Sequence, residues 1–153
     1  AGLLLALGSA VGITVRVLFG YLADGMGSGR LRLVAGMLGA GTIGFVLLAT
    51  RMDSLLVLGT VLAFGAGWGW PGIFNFAIVK TNPGAPAAAT GITQTGASGG
   101  AALGPLLFGL ILQATGYTAA WIFCGLVALL SATAILLGRY LLLGDRANAA
   151  RKA

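Results

Sequence analysis

Apolar runs long enough to cross a lipid bilayer fill almost all of this sequence, and their length limits the folds open to it. A helix rising 1.5 Å per residue needs about 20 apolar residues to cross a hydrocarbon core of about 30 Å. Five segments reach that length, near residues 2–23, 31–50, 54–79, 87–113 and 118–143. Strands of a membrane barrel use only about 9–11 residues in strict alternation, a pattern these runs lack. The expected fold class is all-α: a polytopic membrane protein with five transmembrane helices in a membrane domain over residues 1–143, and a polar cytoplasmic tail at 144–153.

Composition supports the same reading. The chain is 58% hydrophobic and 8% charged, where an ordinary soluble domain is about a quarter charged. A bundle of buried helices in a large soluble protein is the alternative, because a helix apolar all round looks alike in both settings. The arrangement of charge favours the membrane. Its 27 glycines lie within the apolar runs without a three-residue period, which excludes collagen. Many recur at four-residue spacing, as in Gly8 and Gly12 with Gly20, Gly36-Ala40-Gly44, Gly65-Gly69 and Gly96-Gly100-Gly104, and such stripes let helices approach closely.

Short joints at 24–30, 51–53, 80–86 and 114–117 make neighbouring helices antiparallel. One side of the bundle then carries Arg30, Arg32, Lys80, Arg139, Arg146, Arg151 and Lys152, and the other carries Arg51 alone. Lysine and arginine collect on the cytoplasmic side. The tail is therefore expected inside and, with an odd number of crossings, the start of the chain outside.

Several residues interrupt the apolar background. Arg16 lies within the first segment, eight residues before Asp24. A charge there faces a bundle interior, a water-filled cavity or the headgroups. Two readings fit it: an arginine snorkelling toward the interface with a structural partner, or a contact for an anionic substrate or gating pair. Pro71, after Trp68-Gly69-Trp70, withholds a backbone donor and is expected to kink or open the third helix. Trp70 and Asn75 stand beside that point as candidate contacts in a substrate cavity, although tryptophan serves equally well in packing. Thr90, Gln94 and Ser98 share one face of the fourth segment, either lining a hydrated path or forming a seam to a neighbouring helix. Gly104 and Pro105 mark a second expected kink.

Enzyme chemistry has little to stand on. The only acids are Asp24, Asp53 and Asp145, and there is no histidine, so no Ser-His-Asp relay exists. One cysteine, Cys124, and no carboxylate cluster leave no expected metal site and no cofactor. Gly25-Met26-Gly27-Ser28-Gly29 follows a membrane helix rather than a strand, which argues against a nucleotide loop. The nine basic residues are scattered without interleaved aromatics, so the net charge of +6 does not imply nucleic acid.

The stretch from Gly20 through Leu22, Ala23, Asp24 and Gly27 to Arg30 resembles the signature loop of the major facilitator superfamily of secondary transporters. The arginine usual after the aspartate is Gly25 here, and the basic cluster is displaced to Arg30 and Arg32. The run from Gly91-Ile92-Thr93-Gln94-Thr95 through Gly104-Pro105 to Gly116-Tyr117 and Trp121 is similar to the family's fifth or eleventh helix and the start of the next. The resemblance implies five helices of a six-helix half-bundle. The uncharged third segment, the degenerate loop and the polar tail point to helices eight to twelve, in the carboxy-terminal half, over the alternative of helices two to six. It further implies alternating access for a small solute across the cytoplasmic membrane, with the amino-terminal half of the same transporter and the lipid bilayer as partners. Arg16 leans the solute toward a small organic anion. Trp70, Asn75 and Gln94 would then face the cavity, and Gly20, Asp24, Gly27 and Arg30 would latch the cytoplasmic gate. A membrane scaffold or sensor on the same bundle is the competing expectation.

Overall fold

The computed structural model describes residues 2–26 and 29–152, with the backbone alone for Asp24 and for residues 145–152. Every regular element among them is an α-helix: α1 (Gly2–Gly25), α2 (Arg30–Ala49), α3 (Asp53–Gly69), α4 (Pro71–Thr81), α5 (Pro86–Thr115) and α6 (Tyr117–Lys152). Five spans are long and apolar enough to cross a membrane, the third made of α3 and α4 together. Residues 145–152, read from the sequence as a polar tail, continue α6 as helix.

Local chemistry explains where the helices stop. Thr50 and Arg51 turn back on the carbonyls of Leu47 and Leu48, and Arg51 takes the left-handed conformation with φ 57°. Asp53 then opens α3, its carboxylate favourable at the positive end of the helix. Pro86 begins α5, where a missing N–H costs nothing. Gly116 ends it at φ 91°, donating its amide to Leu112, a conformation for which glycine has no steric penalty.

Helix α2 is the centre of the bundle, packed along both α3 and α6. Its contact with α3 is backbone against backbone. A Cβ built on Gly41 would meet Gly67 Cα, and one on Gly44 would lie 2.5 Å from the Ala63 nitrogen. Thr118 fastens the other side, its Oγ1 donating to the Ala49 carbonyl at 3.1 Å, while Thr42 Oγ1, bonded at 3.0 Å to Leu38 on its own helix, also lies 3.4 Å from the Gly125 carbonyl; together these pairings set α6 antiparallel to α2. Helix α1 lies along α3 and also touches α4, with Gly8 against the Phe64 ring. Helix α5 lies along α4 and α6.

The buried cluster of Ala23, Val34, Met37, Leu38, Ile73 and Ala132 sits where α1, α2, α4 and α6 meet. Elsewhere the surface is oily. Leu3, Ile92 and Leu130 are exposed, and α5 has no buried residue at all. Water would not tolerate so continuous an apolar exterior, whereas hydrocarbon does.

The α2–α3 contact generates a stability prediction. Gly41→Ala forces a methyl group into the Gly67 backbone and should cost about 1–3 kcal/mol. Thermal unfolding in detergent should show a drop of several degrees, while Gly36→Ala, whose added Cβ meets nothing within 4 Å, should leave the midpoint in place.

Candidate functional site

The third span is interrupted at Trp70, between the end of α3 and the start of α4. Trp70 keeps right-handed helical angles, φ −69° and ψ −24°. The interruption is therefore a gap in hydrogen bonding with little change of direction at that residue. Pro71 has no N–H to offer the Gly67 carbonyl, and the ladder restarts with the Phe74 amide donating to Trp70 at 3.0 Å. Into this gap α1 sends Arg16, whose Nη2 donates to the Trp68 carbonyl at 3.0 Å.

That contact brings a cation to the negative end of the α3 dipole. It also gives an intramembrane charge a polar partner, which hydrocarbon demands. Arg16 thus has the structural partner of one sequence reading, though the partner is a backbone carbonyl 52 residues away. A guanidinium carries five N–H donors. Arg16 is exposed on its outer side, so the same group retains donors for an anion.

Trp70 is half-buried against the central cluster and meets Phe74 edge-on at 5.6 Å between ring centroids. Packing accounts for much of its surface. Asn75 is half-buried on α4 and Gln94 exposed on α5, and neither side chain makes a hydrogen bond among the described residues. Helices α4 and α5 form an antiparallel pair joined at 82–85. Counting 1.5 Å per residue from its two ends puts Asn75 and Gln94 within about 3 Å of the same level. Arg16, beside Trp68, lies roughly 10 Å further along the span than Asn75. The four candidates thus occupy one stretch of the bundle without a direct bond joining them.

On the face of Thr90, Gln94 and Ser98, Thr90 donates to the Pro86 carbonyl at 2.8 Å within α5. That hydroxyl is satisfied on its own helix, and the seam reading of the face finds no interhelical bond among the described residues. Gly104 and Pro105 do not divide α5, which runs unbroken from Pro86 to Thr115.

Arg30, at the start of α2, lies near the far end of α4. Arg30 Nε donates to the Ala23 carbonyl at 2.9 Å, capping the last turn of α1, and its guanidinium lies 4.6 Å from the centre of the Phe76 ring on α4. Lys80 Nζ approaches the same ring at 5.7 Å. Arg30 thereby couples the ends of α1 and α4. Gly20 lines a crevice between these helices with Ala23, Gly72, Ile73 and Phe76. Gly27 and the side chain of Asp24 lie outside the described residues. Phe76, Lys80 and the Trp68 carbonyl were not among the sequence candidates. Only the Phe76–Lys80 pair left a signal there, an aromatic and a cation one helical turn apart.

The Arg16 contact is directly testable. Arg16→Met keeps the apolar stem and removes a charged hydrogen bond of about 1.5–3 kcal/mol. Backbone amides at Gly72 and Ile73 should then exchange faster with solvent deuterium, with Arg16→Lys intermediate.

Comparison with known proteins gives one match. The sequence model of the Major Facilitator Superfamily covers residues 1–153. No curated protein matches the chain. No solved structure matches it either. A family match over the full sequence, on five apolar spans in an all-helical bundle, makes this chain a multi-pass membrane protein that belongs to the Major Facilitator Superfamily of transporters.

Proposed function

We propose that the chain forms most of one half, helices eight to twelve, of a longer secondary transporter that moves a small solute across the cytoplasmic membrane by alternating access, without covalent catalysis. The observation that carries this reading is the interrupted third span with Arg16 held on its Trp68 carbonyl. Interrupted helices serve transport because freed carbonyls and helix ends meet polar solutes inside the membrane. The retained charge of Arg16 favours a small organic anion.

Trp70, Asn75 and Gln94 supply the cavity wall on this reading, the two amides offering both donors and acceptors. Gly20, Asp24, Gly27 and Arg30 form the cytoplasmic latch, and the bond from Arg30 to Ala23 supports a fixed end for α1 there. The positive-inside bias puts the signature loop and the end of α6 in the cytoplasm and the start of α1 outside. The opposing half belongs against α5. That helix buries no residue, and added Cβ atoms on Gly96, Gly100 and Gly104 meet nothing within 4 Å.

Uptake into lipid vesicles by the complete chain tests the proposal, with a panel of labelled small carboxylates and neutral solutes. Saturable uptake of a carboxylate is expected, and Asn75→Ala or Gln94→Ala should raise its half-saturation concentration about tenfold, the effect of about 1.4 kcal/mol. Unchanged affinity and rate would remove those amides from the site. Absence of saturable uptake across the panel would favour a scaffold or sensor.

A further inference from the structure

Packing accounts for two of the three tryptophans. Trp70 is half-buried and meets Phe74 edge-on, and Trp121 has Phe45 at 6.2 Å and Phe108 at 5.0 Å between ring centroids. Trp68 is different. Its side chain is 63% exposed, with no aromatic neighbour and no hydrogen bond to the indole among the described residues.

The depth of Trp68 makes that exposure informative. Tryptophan collects at the two membrane interfaces, where the ring rests in an apolar setting and the N–H reaches water. Trp68 stands instead one residue from the midpoint of the third span, Asp53–Thr81. Facing lipid tails at that level, its indole N–H would have no acceptor, and hydrocarbon penalises an unmet donor.

Arg16 says which way this face looks. Its guanidinium sits on the Trp68 carbonyl at 3.0 Å and is itself exposed. A charge inside the membrane faces a bundle interior, a wet cavity or a polar partner in preference to the tails. Asn75 follows Trp68 by seven residues, close to two helical turns, and the right-handed angles at Trp70 carry the helical phase across the break. Trp68 and Asn75 therefore share a face of the third span, with Arg16 at its Trp68 end.

We propose that Trp68 is a specificity-determining wall of the solute site, and that the anion held by Arg16 is a carboxylate bearing an aromatic ring, which stacks on the indole. The inference rests on the transport reading above and narrows its solute class. The donors that Arg16 does not spend on Trp68 take the carboxylate. The indole face takes a planar ring in preference to a saturated body of similar size, because aromatic pairs gain more than the area they bury.

Equilibrium binding of labelled benzoate to the complete chain in lipid nanodiscs tests it, with unlabelled benzoate and cyclohexanecarboxylate as competitors. The two acids match in charge and ring size, and only benzoate has a π face. Benzoate should compete about fivefold more strongly. Trp68→Leu should bring the two acids to equal strength, Trp68→Phe should keep most of the preference, and Arg16→Met should weaken both alike. Equal competition in the parent, or a preference that survives Trp68→Leu, would overturn the proposal and leave an anion site in place. Quenching of Trp68 by lipids brominated at mid-chain, read as the difference between the parent and Trp68→Phe, would also overturn it, since the ring would then face the tails. So would failure of both acids to bind; the transport reading falls with it only where the vesicle panel shows no saturable uptake either.

Discussion

Close backbone approach between α2 and α3 is the constraint on which the bundle depends. In lipid no hydrophobic drive pulls helices together, because the surrounding tails are as apolar as the side chains. Association must come from contact at short range. Gly41, Gly44 and Gly67 remove the side chains that would hold the two backbones apart. With α3 seated, its outer face receives α1, where Gly65 meets Val11 and Val15, and α2 is left free to take α6 on its far side. The buried cluster is therefore small and alanine-rich, with Val34 its largest fully buried side chain.

That packing also positions the one intramembrane arginine of α1. Arg16 shares a helix with Val15, whose side chain touches both Gly65 and Gly69. The glycine contact brings α1 near enough for Arg16 to reach the Trp68 carbonyl. Charge and helix break consequently answer each other: the cation gains a dipole, and the α3 end gains a donor that the proline interruption makes scarce. Either feature alone would be costly in hydrocarbon.

The five spans were legible in the sequence because bilayer thickness sets a length that a run of residues either meets or does not. The interruption near Pro71 was legible for a similar reason, since proline lacks a donor in any setting. The partner of Arg16 was not. Sequence spacing could place Asp24 on the same face of α1 but out of direct reach, and the bond goes to a carbonyl on another helix, which only tertiary packing brings close. The helical course of residues 145–152 was obscured by their polarity, although Ala147, Ala149, Ala150, Arg151 and Lys152 are all strong helix formers. Polarity marks the end of a membrane span and carries no instruction to end a helix.

Four-residue spacing alone did not decide burial, since Gly36 and Gly44 of one α2 repeat differ, Gly36 meeting nothing. Gly44 on α2 is buried against α3, while Gly96, Gly100 and Gly104 on α5 face open space at the same four-residue repeat. A stripe states only that something is able to approach closely; which neighbour does so depends on the rest of the bundle. Helix α5 touches α4 and α6, yet leaves its small residues outside both contacts. A face built for close approach, carried by the helix that also bears Gln94, is a surface that can be held in one state and released in another. The alternating access proposed above would require such a reversible face, and the tightly interlocked glycines of α2 and α3 would resist it. On that argument the interlocked and the open surfaces of the bundle use the same residue type, and burial alone distinguishes them.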